Sequence, residues 1–395
     1  MIESIRIQNY KALRDVTLHL TPIHVLIGKN DSGKTSILEA ITALCRSADR
    51  LLTHAFTGRW SGHELVCNFS PTKEILFDAH LRESEHVLFQ YSLSCRFEND
   101  RNCRISSEKI IHKGVETNLT RESASETQIC SFSRNLRAEN PDHQALLGHV
   151  YGQIANVRTC RWTGRMLSLP VAFDGDARPF EQSDTGFGLA LALDDILGDN
   201  RDRFSQLEQQ FRVIFPQVKS IKLVREPGFT LPSDDGKNIP VLRPGSGKGI
   251  RFDFVNGMSN VAASQVSDGL LIVLAYLATL FSPRTPRTLL VEEPENGIHP
   301  ERLVVVIKLL REIVALHNRT QLIITTHSPY LVSHFDAEEV TLCHKEDDGS
   351  VSLHRMSDSS AVKKQSSIFT LGEIWTGEGD DLLAKSTART EPAAP

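Results

Sequence analysis

The sequence lacks paired cysteines, an excess of basic charge and a long apolar run. Its seven cysteines are scattered and none belongs to a CxxC pair, which indicates reduced thiols in a cytosol. There are 44 lysines and arginines against 49 aspartates and glutamates, and the net charge of -5 excludes an overall basic field that would attract nucleic acid. The longest apolar run, residues 270–281, is too short to span a bilayer. The charged start, residues 1–15, predicts no secretory signal, so we expect a soluble, cytoplasmic chain without a membrane partner.

The most demanding chemical pattern in the chain is GKNDSGKT, residues 28–35, which matches G-x-x-x-x-G-K-[ST]. It follows an apolar strand, residues 23–27, and opens an apolar-periodic helix, as a phosphate-binding P-loop does. Its glycines let the backbone curl so that consecutive N–H groups face phosphate oxygens. We expect Lys34 to reach the β and γ phosphates and the Thr35 hydroxyl to bind Mg²⁺. The predicted nucleotide-binding residues here are Gly28, Lys29, Asn30, Asp31, Ser32, Gly33, Lys34, Thr35 and Ser36.

Two adjacent glutamates, Glu292 and Glu293, end the apolar stretch RTLLVEE, residues 287–293. Like charges side by side repel, and burial raises the cost of keeping both ionised, so a cation is expected nearby. The continuous apolar character is typical of a parallel strand covered on both faces, predicted here to lie beside the P-loop strand. We assign Mg²⁺ binding to Glu292 and general-base catalysis to Glu293, with the reverse assignment left open. Without the P-loop, an acidic turn would be the default interpretation.

A helix is predicted to begin within SQVSDGLL, residues 264–271. Ser267 is a good N-cap, Asp268 and Gly269 fall in the first turn, and an apolar helix follows. Because a helix N-terminus attracts anions, this one is a candidate phosphate site. Taken alone, Ser267 would be no more than a cap.

Two segments after the glutamates complete the pattern. PENGIHP, residues 294–300, ends in a proline that can open a helix. QLIITTHSPYLV, residues 321–332, predicts a strand that ends at His327, with Ser328 and Pro329 as the cap and first residue of the next helix. A lone histidine at a strand end is more often structural, but the order of all these segments favours one shared site.

On these segments the chain resembles a soluble ABC-type ATPase of the SMC/RecF class, and within it the OLD-family and related AAA-type ATPases. The resemblance covers most of the chain. It implies an α/β fold of the P-loop NTPase, ABC type: a two-lobed ATPase head with an antiparallel β-subdomain and a helical insertion. It also implies ATP and Mg²⁺ as cofactors, and Lys11 sits where relatives often have a basic residue near the nucleotide.

The resemblance further assigns roles to the matched residues. They are phosphate binding by Lys34, metal binding by Thr35 and Glu292, the base role for Glu293, and contact with the γ-phosphate by His327 as the switch histidine.

The segment around Ser267 and Gly269 resembles the ABC signature, whose helix serves the γ-phosphate held by the other protomer. This chain has VSDGLL where transporters have LSGGQ. Asp268 therefore places a negative charge near the incoming phosphate unless it turns away or meets a cation. No glutamine stands out as the Q-loop residue, although Gln90 and Gln128 are both available.

The remaining sequence indicates how the chain is organised. Polarity alternates over residues 74–114 as in an antiparallel meander, and PGSGKGI, residues 244–250, is interpreted as a hairpin loop. No sustained heptads predict long SMC arms or a zinc hook. About 70 residues follow His327, so we do not expect the TOPRIM nuclease of full-length OLD proteins. The predicted domains are 1–118 (N-terminal lobe with P-loop and β-subdomain), 119–217 (helical insertion), 218–345 (C-terminal lobe with signature, Walker B and switch histidine) and 346–395 (C-terminal extension and disordered tail).

One basic patch is a candidate nucleic-acid contact. NVRTCRWTGRM, residues 156–166, has Arg158, Arg161 and Arg165 around Trp162 with no acid nearby, a combination able to grip phosphates and stack a base. The alternative is a loop whose arginines pair with the acidic stretch that follows, and the negative net charge favours it.

Two functions of different classes fit these features. The first is an ATP-hydrolysing protein whose ATP-dependent head engagement, as a homodimer or higher oligomer, controls a DNA-related or anti-phage defence process. It would act through a separately encoded effector such as a nuclease, and DNA is a possible partner. The alternative is a transporter-type ABC ATPase subunit that drives a membrane partner. The signature departure and the missing coupling glutamine favour the first.

Overall fold

The computed structural model describes residues 1–56, 62–68, 70, 72–84, 87–99, 102–120, 124–135, 141–173, 183–231, 240–317 and 319–387.

The strands are, in chain order, β1 (Ile2–Tyr10), β2 (Leu13–His19), β3 (Ile23–Ile27), β4 (Glu74–Ser84), β5 (Val87–Asn99), β6 (Asn102–His112), β7 (Val115–Asn118), β8 (Val157–Cys160), β9 (Val171–Ala172), β10 (Val218–Thr230), β11 (Val241–Phe254), β12 (Val261–Ala262), β13 (Thr288–Glu292), β14 (Gln321–Thr325), β15 (Val340–Lys345) and β16 (Val351–Arg355). The α-helices are α1 (Lys34–Arg46), α2 (Leu52–Ala55), α3 (Gln128–Asn135), α4 (Pro141–Ile154), α5 (Gly164–Leu167), α6 (Leu189–Asp199), α7 (Arg201–Ile214), α8 (Asp268–Leu280), α9 (Pro300–Leu316), α10 (Pro329–Val332), α11 (Ser360–Gln365) and α12 (Leu371–Ser386).

Two compact units divide the chain, and each is assembled from separate segments. The first consists of Met1–Arg158, Pro286–Glu293 and Arg319–Pro395, and the second of Thr159–Thr285 and Pro294–Asn318. The first unit therefore contains the P-loop, both glutamates of the 292–293 pair and the switch histidine, whereas the signature segment belongs to the second. The four-part division along the chain stays a prediction about the lobes.

The P-loop strand lies in the middle of a sheet with the order β16, β15, β3, β14, β13, β8. Strands β15, β3, β14 and β13 run parallel, and β16 is antiparallel to β15. The strand predicted at residues 23–27 is confirmed as β3, and β3 and β14 are buried at every position. This continuous burial is expected of parallel strands that are covered on both faces.

The strand that carries Glu292 does not pair with the P-loop strand, so that part of the prediction is wrong. Strand β14 lies between β3 and β13 and pairs with both in parallel. Adjacent strands lie about 4.8 Å apart, so the ends of β3 and β13 are separated by two such spacings. The apolar pattern predicted burial on both faces, but it carries no information on which strand is the neighbour. A glutamate side chain is long enough to extend across part of the intervening distance.

A second sheet in the first unit has the order β2, β1, β4, β5, β6, β7. Strands β4, β5 and β6 pair antiparallel in sequence order, which confirms the predicted meander. Burial alternates along β4, so one face of the sheet contributes to a large apolar core that also includes α1 and α4 residues. Gln321 joins the two sheets, because its side chain accepts from Ile2 N at 3.0 Å and donates to Ile2 O at 2.8 Å.

The second unit is built on the long antiparallel pair β10 and β11, with β9 and β12 beside them. Helix α8 is buried from Leu270 to Leu280, as expected of a helix that is apolar on all sides, and α5, α6, α7 and α9 pack around it. Residues 244–250 lie inside β11, so the prediction of a hairpin loop there is wrong. The register of the pair shifts between Glu226 and Gly228, opposite this glycine-rich stretch, and a bulge admits such a sequence into a strand.

The C-terminal extension is folded as far as residue 387. The hairpin β15 and β16 leads into α11 and α12, and Thr370 begins α12 with a capping box to Glu373. Gly379 interrupts α12 with non-helical backbone angles, φ 76° and ψ 164°. Of the tail predicted to be disordered, residues 388–395 lie outside the described residues.

The buried carboxylate of Glu108 provides a stability test of the first unit. It is fully buried and accepts from Tyr91 Oη at 3.1 Å and from Gln128 N at 2.9 Å, which ties the meander to the start of α3. We expect Glu108→Ala to lower the free energy of unfolding by about 2–5 kcal/mol, because two buried donors lose their acceptor. Urea denaturation measures this. Glu116→Ala, which removes an exposed carboxylate from neighbouring β7, is the control and should change it by less than about 1 kcal/mol.

Candidate functional site

The loop between β3 and α1 requires glycine at two positions. Gly28 has φ 134° and Gly33 has φ 90°, which are backbone conformations that favour glycine. A Cβ on Gly28 would lie 2.2 Å from the carbonyl oxygen of Cys343, and one on Gly33 would lie 2.7 Å from Val351 Cγ2. The P-loop is therefore packed tightly against β15 and β16. Gly33 is the N-cap of α1 and has no side chain to cover the N–H groups of the first turn, as the predicted phosphate site requires.

Lys34 lies inside the curve of the loop and is only 5% exposed. Its ammonium donates to the carbonyl oxygens of Gly28 at 2.7 Å and Lys29 at 2.8 Å. Burial lowers the pKa of Lys34, while the Cys343 thiol and the surrounding carboxylates, Glu293 among them, act in the opposite direction. The ammonium is thus held at the loop by carbonyl groups and by nearby negative charge.

Thr35 and Glu292 meet at the mouth of the loop. The Thr35 hydroxyl donates to Glu292 Oε1 at 2.6 Å, although the two residues are 257 positions apart. The two side chains predicted to bind the same Mg²⁺ therefore come together. Their combination of a hydroxyl and a carboxylate is the oxygen donor set that this ion prefers.

The Glu293 carboxylate contacts His327, not Thr35. Its backbone is left-handed, with φ 49°, and its N–H donates to the carbonyl oxygen of Thr325 at 2.9 Å. Its carboxylate oxygen Oε1 lies 3.1 Å from His327 Nε2, and both side chains are 33% exposed. The predicted base and the predicted switch histidine are thus in contact. The strand predicted to end at His327 ends two residues earlier, at Thr325, whereas the cap and first helical residue at Ser328 and Pro329 are confirmed. His327 therefore lies in the short connection between β14 and α10.

The other predicted nucleotide-site residues have varied surroundings. Asp31 forms an ion pair with Lys345 of β15, and Ser32 is buried with its hydroxyl 3.5 Å from the Lys34 ammonium. Asn30 is exposed at the tip of the loop, and Ser36 is partly buried in the first turn of α1.

Three residues that the sequence analysis considered for a place near the nucleotide make contacts with other residues of the first unit. Lys11 forms an ion pair with Glu39 of α1, in which both side chains are mostly buried. Gln90 donates to the Asp78 carboxylate at 3.0 Å, within the meander. The backbone N–H of Gln128 donates to the buried Glu108 carboxylate. A nucleotide role for Lys11 stays a prediction, and the structure singles out neither glutamine as a Q-loop residue.

In the second unit, Ser267 is the N-cap of α8 as predicted, and its exposed side chain makes no capping hydrogen bond. The Asp268 carboxylate lies against Gly164 of α5, where an added Cβ would be 2.0 Å from Asp268 Oδ1. The charge that departs from the signature pattern is therefore packed against a neighbouring helix. Pro300 begins α9 at its first position, which confirms that prediction as well.

Two residues of the basic patch, Trp162 and Arg161, make packing and backbone contacts inside the second unit. The Trp162 ring packs against Tyr276 of α8 with centroids 4.8 Å apart, and the backbone N–H of Arg161 donates to the carbonyl oxygen of Asp184. Neither contact involves an arginine side chain, so the pairing of these arginines with the acidic stretch stays a prediction. Of the acidic stretch proposed to pair with the arginines, residues 174–182 lie outside the described residues.

Sequence reasoning missed the C-terminal residues that contact the P-loop. Asp380 of α12 accepts from Lys29 N at 2.8 Å, and Asp381 lies 3.4 Å from the Lys29 ammonium. No sequence motif identifies these two aspartates as site residues, because acidic residues are common on the exposed face of any surface helix. Only the fold brings them to the loop.

Comparisons with known proteins agree with this site. Residues 171–333 match the family described as "AAA domain, putative AbiEii toxin, Type IV TA system", and residues 1–149 match "AAA ATPase domain". The chain is 25% identical over 418 residues to the OLD nuclease of Thermus scotoductus, covering 99% of this chain and 71% of that protein. It is similar to an SMC head bound to the C-winged helix domain of ScpA, with a TM-score of 0.50, 14% identity, and coverage of 89% and 97%. The SMC head domain from Thermotoga maritima gives a TM-score of 0.45 at 10% identity, with coverage of 90% and 98%.

Both segments match AAA-type ATPase families, and the chain is similar to an OLD protein over nearly all of its length, which supports an ABC-type P-loop ATPase of the SMC/RecF/OLD class. This confirms the predicted α/β ATPase-head fold and the predicted ATPase activity. The comparisons give no support to the transporter-type alternative. Within the described residues, no helix combines the length and the apolar character needed to cross a membrane.

Replacing Lys34 tests the P-loop directly. We expect Lys34→Ala to abolish measurable ATP binding in calorimetry, because this ammonium is the point charge that the loop directs at the β and γ phosphates. Lys345→Ala, which removes an exposed ammonium paired with Asp31 of the same loop, is the control and should bind within about threefold of the parent. Unchanged affinity in Lys34→Ala would contradict the assignment of the loop.

Replacing the two glutamates separates their roles. We expect Glu293→Gln to bind ATP and Mg²⁺ but to hydrolyse ATP at most about a hundredth as fast, since a positioned base contributes 10²- to 10⁴-fold. Glu292→Gln should instead require more Mg²⁺ for half-maximal ATP binding. Single-turnover hydrolysis and Mg²⁺ titration measure both effects. If the two phenotypes were exchanged, Glu292 would be the base and Glu293 the metal ligand.

Proposed function

We propose that the chain binds ATP with Mg²⁺ at its P-loop and hydrolyses it with Glu293 as general base. The observation that carries this proposal is the divergence of two adjacent carboxylates, Glu292 toward the Thr35 hydroxyl and Glu293 toward His327. One pair of side chains suits a metal ion, and the other suits a proton acceptor. Burial lowers the pKa of Lys34, and both carboxylates lie close enough to oppose this effect.

Thr35 and Glu292 fit Mg²⁺ as its protein ligands. A hydroxyl and a carboxylate within 2.6 Å of each other offer two oxygen donors at one point. Mg²⁺ keeps several of its waters when it binds a protein, so it needs only one or two protein ligands. Bound there, Mg²⁺ would neutralise charge on the phosphates.

Side chains and backbone N–H groups of the chain are assigned the remaining steps, phosphate binding and proton transfer. Lys34 and the N–H groups at the start of α1 bind the phosphates. Glu293 accepts the proton of the attacking water, and His327 holds that carboxylate in place through Nε2 and also contacts the γ-phosphate. The left-handed backbone at Glu293 aims the carboxylate away from Glu292, so that one carboxylate stays free of the metal.

We further propose that ATP brings two copies of the chain together. The start of α8, with an exposed Ser267 and a partly buried Gly269, has no side-chain cap and is a candidate site for a γ-phosphate presented by a second copy. A two-fold pair in which each P-loop faces the other copy's α8 follows from this arrangement. Asp268 leaves room for the phosphate because its carboxylate packs against Gly164.

The process that this ATPase controls is proposed from its relatives. One relative is a nuclease by name, and the similar SMC head is bound to the C-winged helix domain of ScpA. We propose a separately encoded effector such as a nuclease, in a DNA-related or anti-phage defence process.

All seven cysteines lie in the described residues and are free and buried, which suits a cytoplasmic location. Affinity capture with Glu293→Gln in the native host would identify the partner.

Light scattering tests the ATP-driven pair. Because both copies would hold the γ-phosphate, we expect Glu293→Gln to double in mass with ATP and to remain single with ADP. Adding Ser267→Arg should block pairing by steric hindrance while leaving ATP binding within about threefold of normal. Ser264→Arg, an exposed serine one turn before the helix, is the control and should pair normally. The same mass with ATP and ADP, together with normal hydrolysis by Ser267→Arg, would exclude ATP-driven engagement.

A further inference from the structure

Helix α12 brings a buried carboxylate to the beginning of the P-loop. Asp380 is only 6% exposed, and both of its oxygens are engaged. Oδ2 accepts from Lys29 N at 2.8 Å, and Oδ1 accepts from Trp375 Nε1 at 2.7 Å. The first donor is the first backbone N–H after Gly28, at the point where the chain leaves β3 and enters the loop.

The backbone of α12 is adapted to this contact at Gly379. Its angles of φ 76° and ψ 164° lie in a region that is essentially restricted to glycine. Nothing lies within 4 Å of a Cβ built on Gly379, so the requirement comes from the backbone and not from crowding. The break in the helix falls immediately before Asp380 and sets the direction in which its carboxylate leaves the chain.

The two aspartates of α12 differ in what they can contribute. A buried carboxylate is costly unless donors satisfy it, and Asp380 meets two N–H donors in charge-assisted hydrogen bonds. Asp381 lies 3.4 Å from the Lys29 ammonium, but these side chains are 65% and 67% exposed. Exposed ion pairs contribute little, so Asp381 provides a matched comparison on the same helix and against the same loop residue.

We propose that Asp380 is a positioning residue for nucleotide binding, which anchors the Lys29 peptide and thereby fixes the P-loop in its phosphate-binding shape. The inference rests on the proposed function, since it assumes that the loop binds ATP. Gly28 and Gly33 hold the loop against β15 and β16, and Asp380 adds a hydrogen bond to the peptide between them. The C-terminal segment is then part of the nucleotide site, although no residue of it touches the reacting atoms.

The experiment compares Asp380→Asn with Asp381→Asn. The two donors, Lys29 N and Trp375 Nε1, bond to different oxygens of Asp380, and an amide replaces one of these oxygens with an NH₂ group that cannot accept. We expect Asp380→Asn to bind ATP and ADP about 10- to 100-fold more weakly, to a similar extent for both, with kcat at saturating ATP within about threefold of normal. Asp381→Asn should bind both nucleotides within about twofold. Gly379→Ala, which keeps the carboxylate but disfavours the backbone that directs it, should weaken binding in the same direction.

A readout without nucleotide completes the test. Hydrogen exchange of the peptide that contains Lys29 should be faster in Asp380→Asn than in the parent or in Asp381→Asn. A variant that binds ATP and ADP normally but melts at a lower temperature would show that Asp380 only stabilises α12, and would overturn the proposal. A loss of kcat at unchanged affinity would also overturn it. If the parent protein itself fails to bind ATP, the proposed function fails, and that result is distinct from either of these.

Discussion

The site depends on the separation of two like charges at the end of a buried strand. Glu292 and Glu293 follow an apolar strand directly, and their repulsion would be greatest if both carboxylates faced the same way. A left-handed backbone at Glu293, which costs about 1–2 kcal/mol for a residue other than glycine, turns the second carboxylate to His327 while the first meets Thr35. The bond from Glu293 N to Thr325 O holds this turn in place.

This geometry relies on the insertion of β14 between β3 and β13. Strand β14 supplies Thr325, to which Glu293 is bonded, and delivers His327 just past its end. The P-loop, the glutamates and the histidine therefore come from three neighbouring parallel strands, whose ends lie at one edge of the sheet. Close packing of Gly28 against Cys343 and of Gly33 against Val351 extends the arrangement to β15 and β16, which also define the position of the phosphate-binding loop.

The comparisons support the ATPase class, and particular residues of this chain differ from the pattern of that class. Asp268 departs from the transporter signature, yet its carboxylate is packed against Gly164 and the N-cap at Ser267 remains exposed. The departure is therefore compatible with a phosphate at this helix. The C-terminal segment, unremarkable in sequence, packs on the P-loop and holds the peptide of Lys29 through Asp380.

The sequence by itself determined the P-loop, the strands at β3 and β14, the antiparallel meander, and the helix starts at Pro300 and Pro329. Each of these depends on residues close together in the chain, through burial periodicity, capping or glycine geometry. Only the tertiary structure decided that β14 separates the two site strands, that residues 244–250 lie within β11, and that Asp380 reaches Lys29. These features depend on contacts between distant segments, 351 positions apart for the last pair, and no local pattern of residues encodes such a contact.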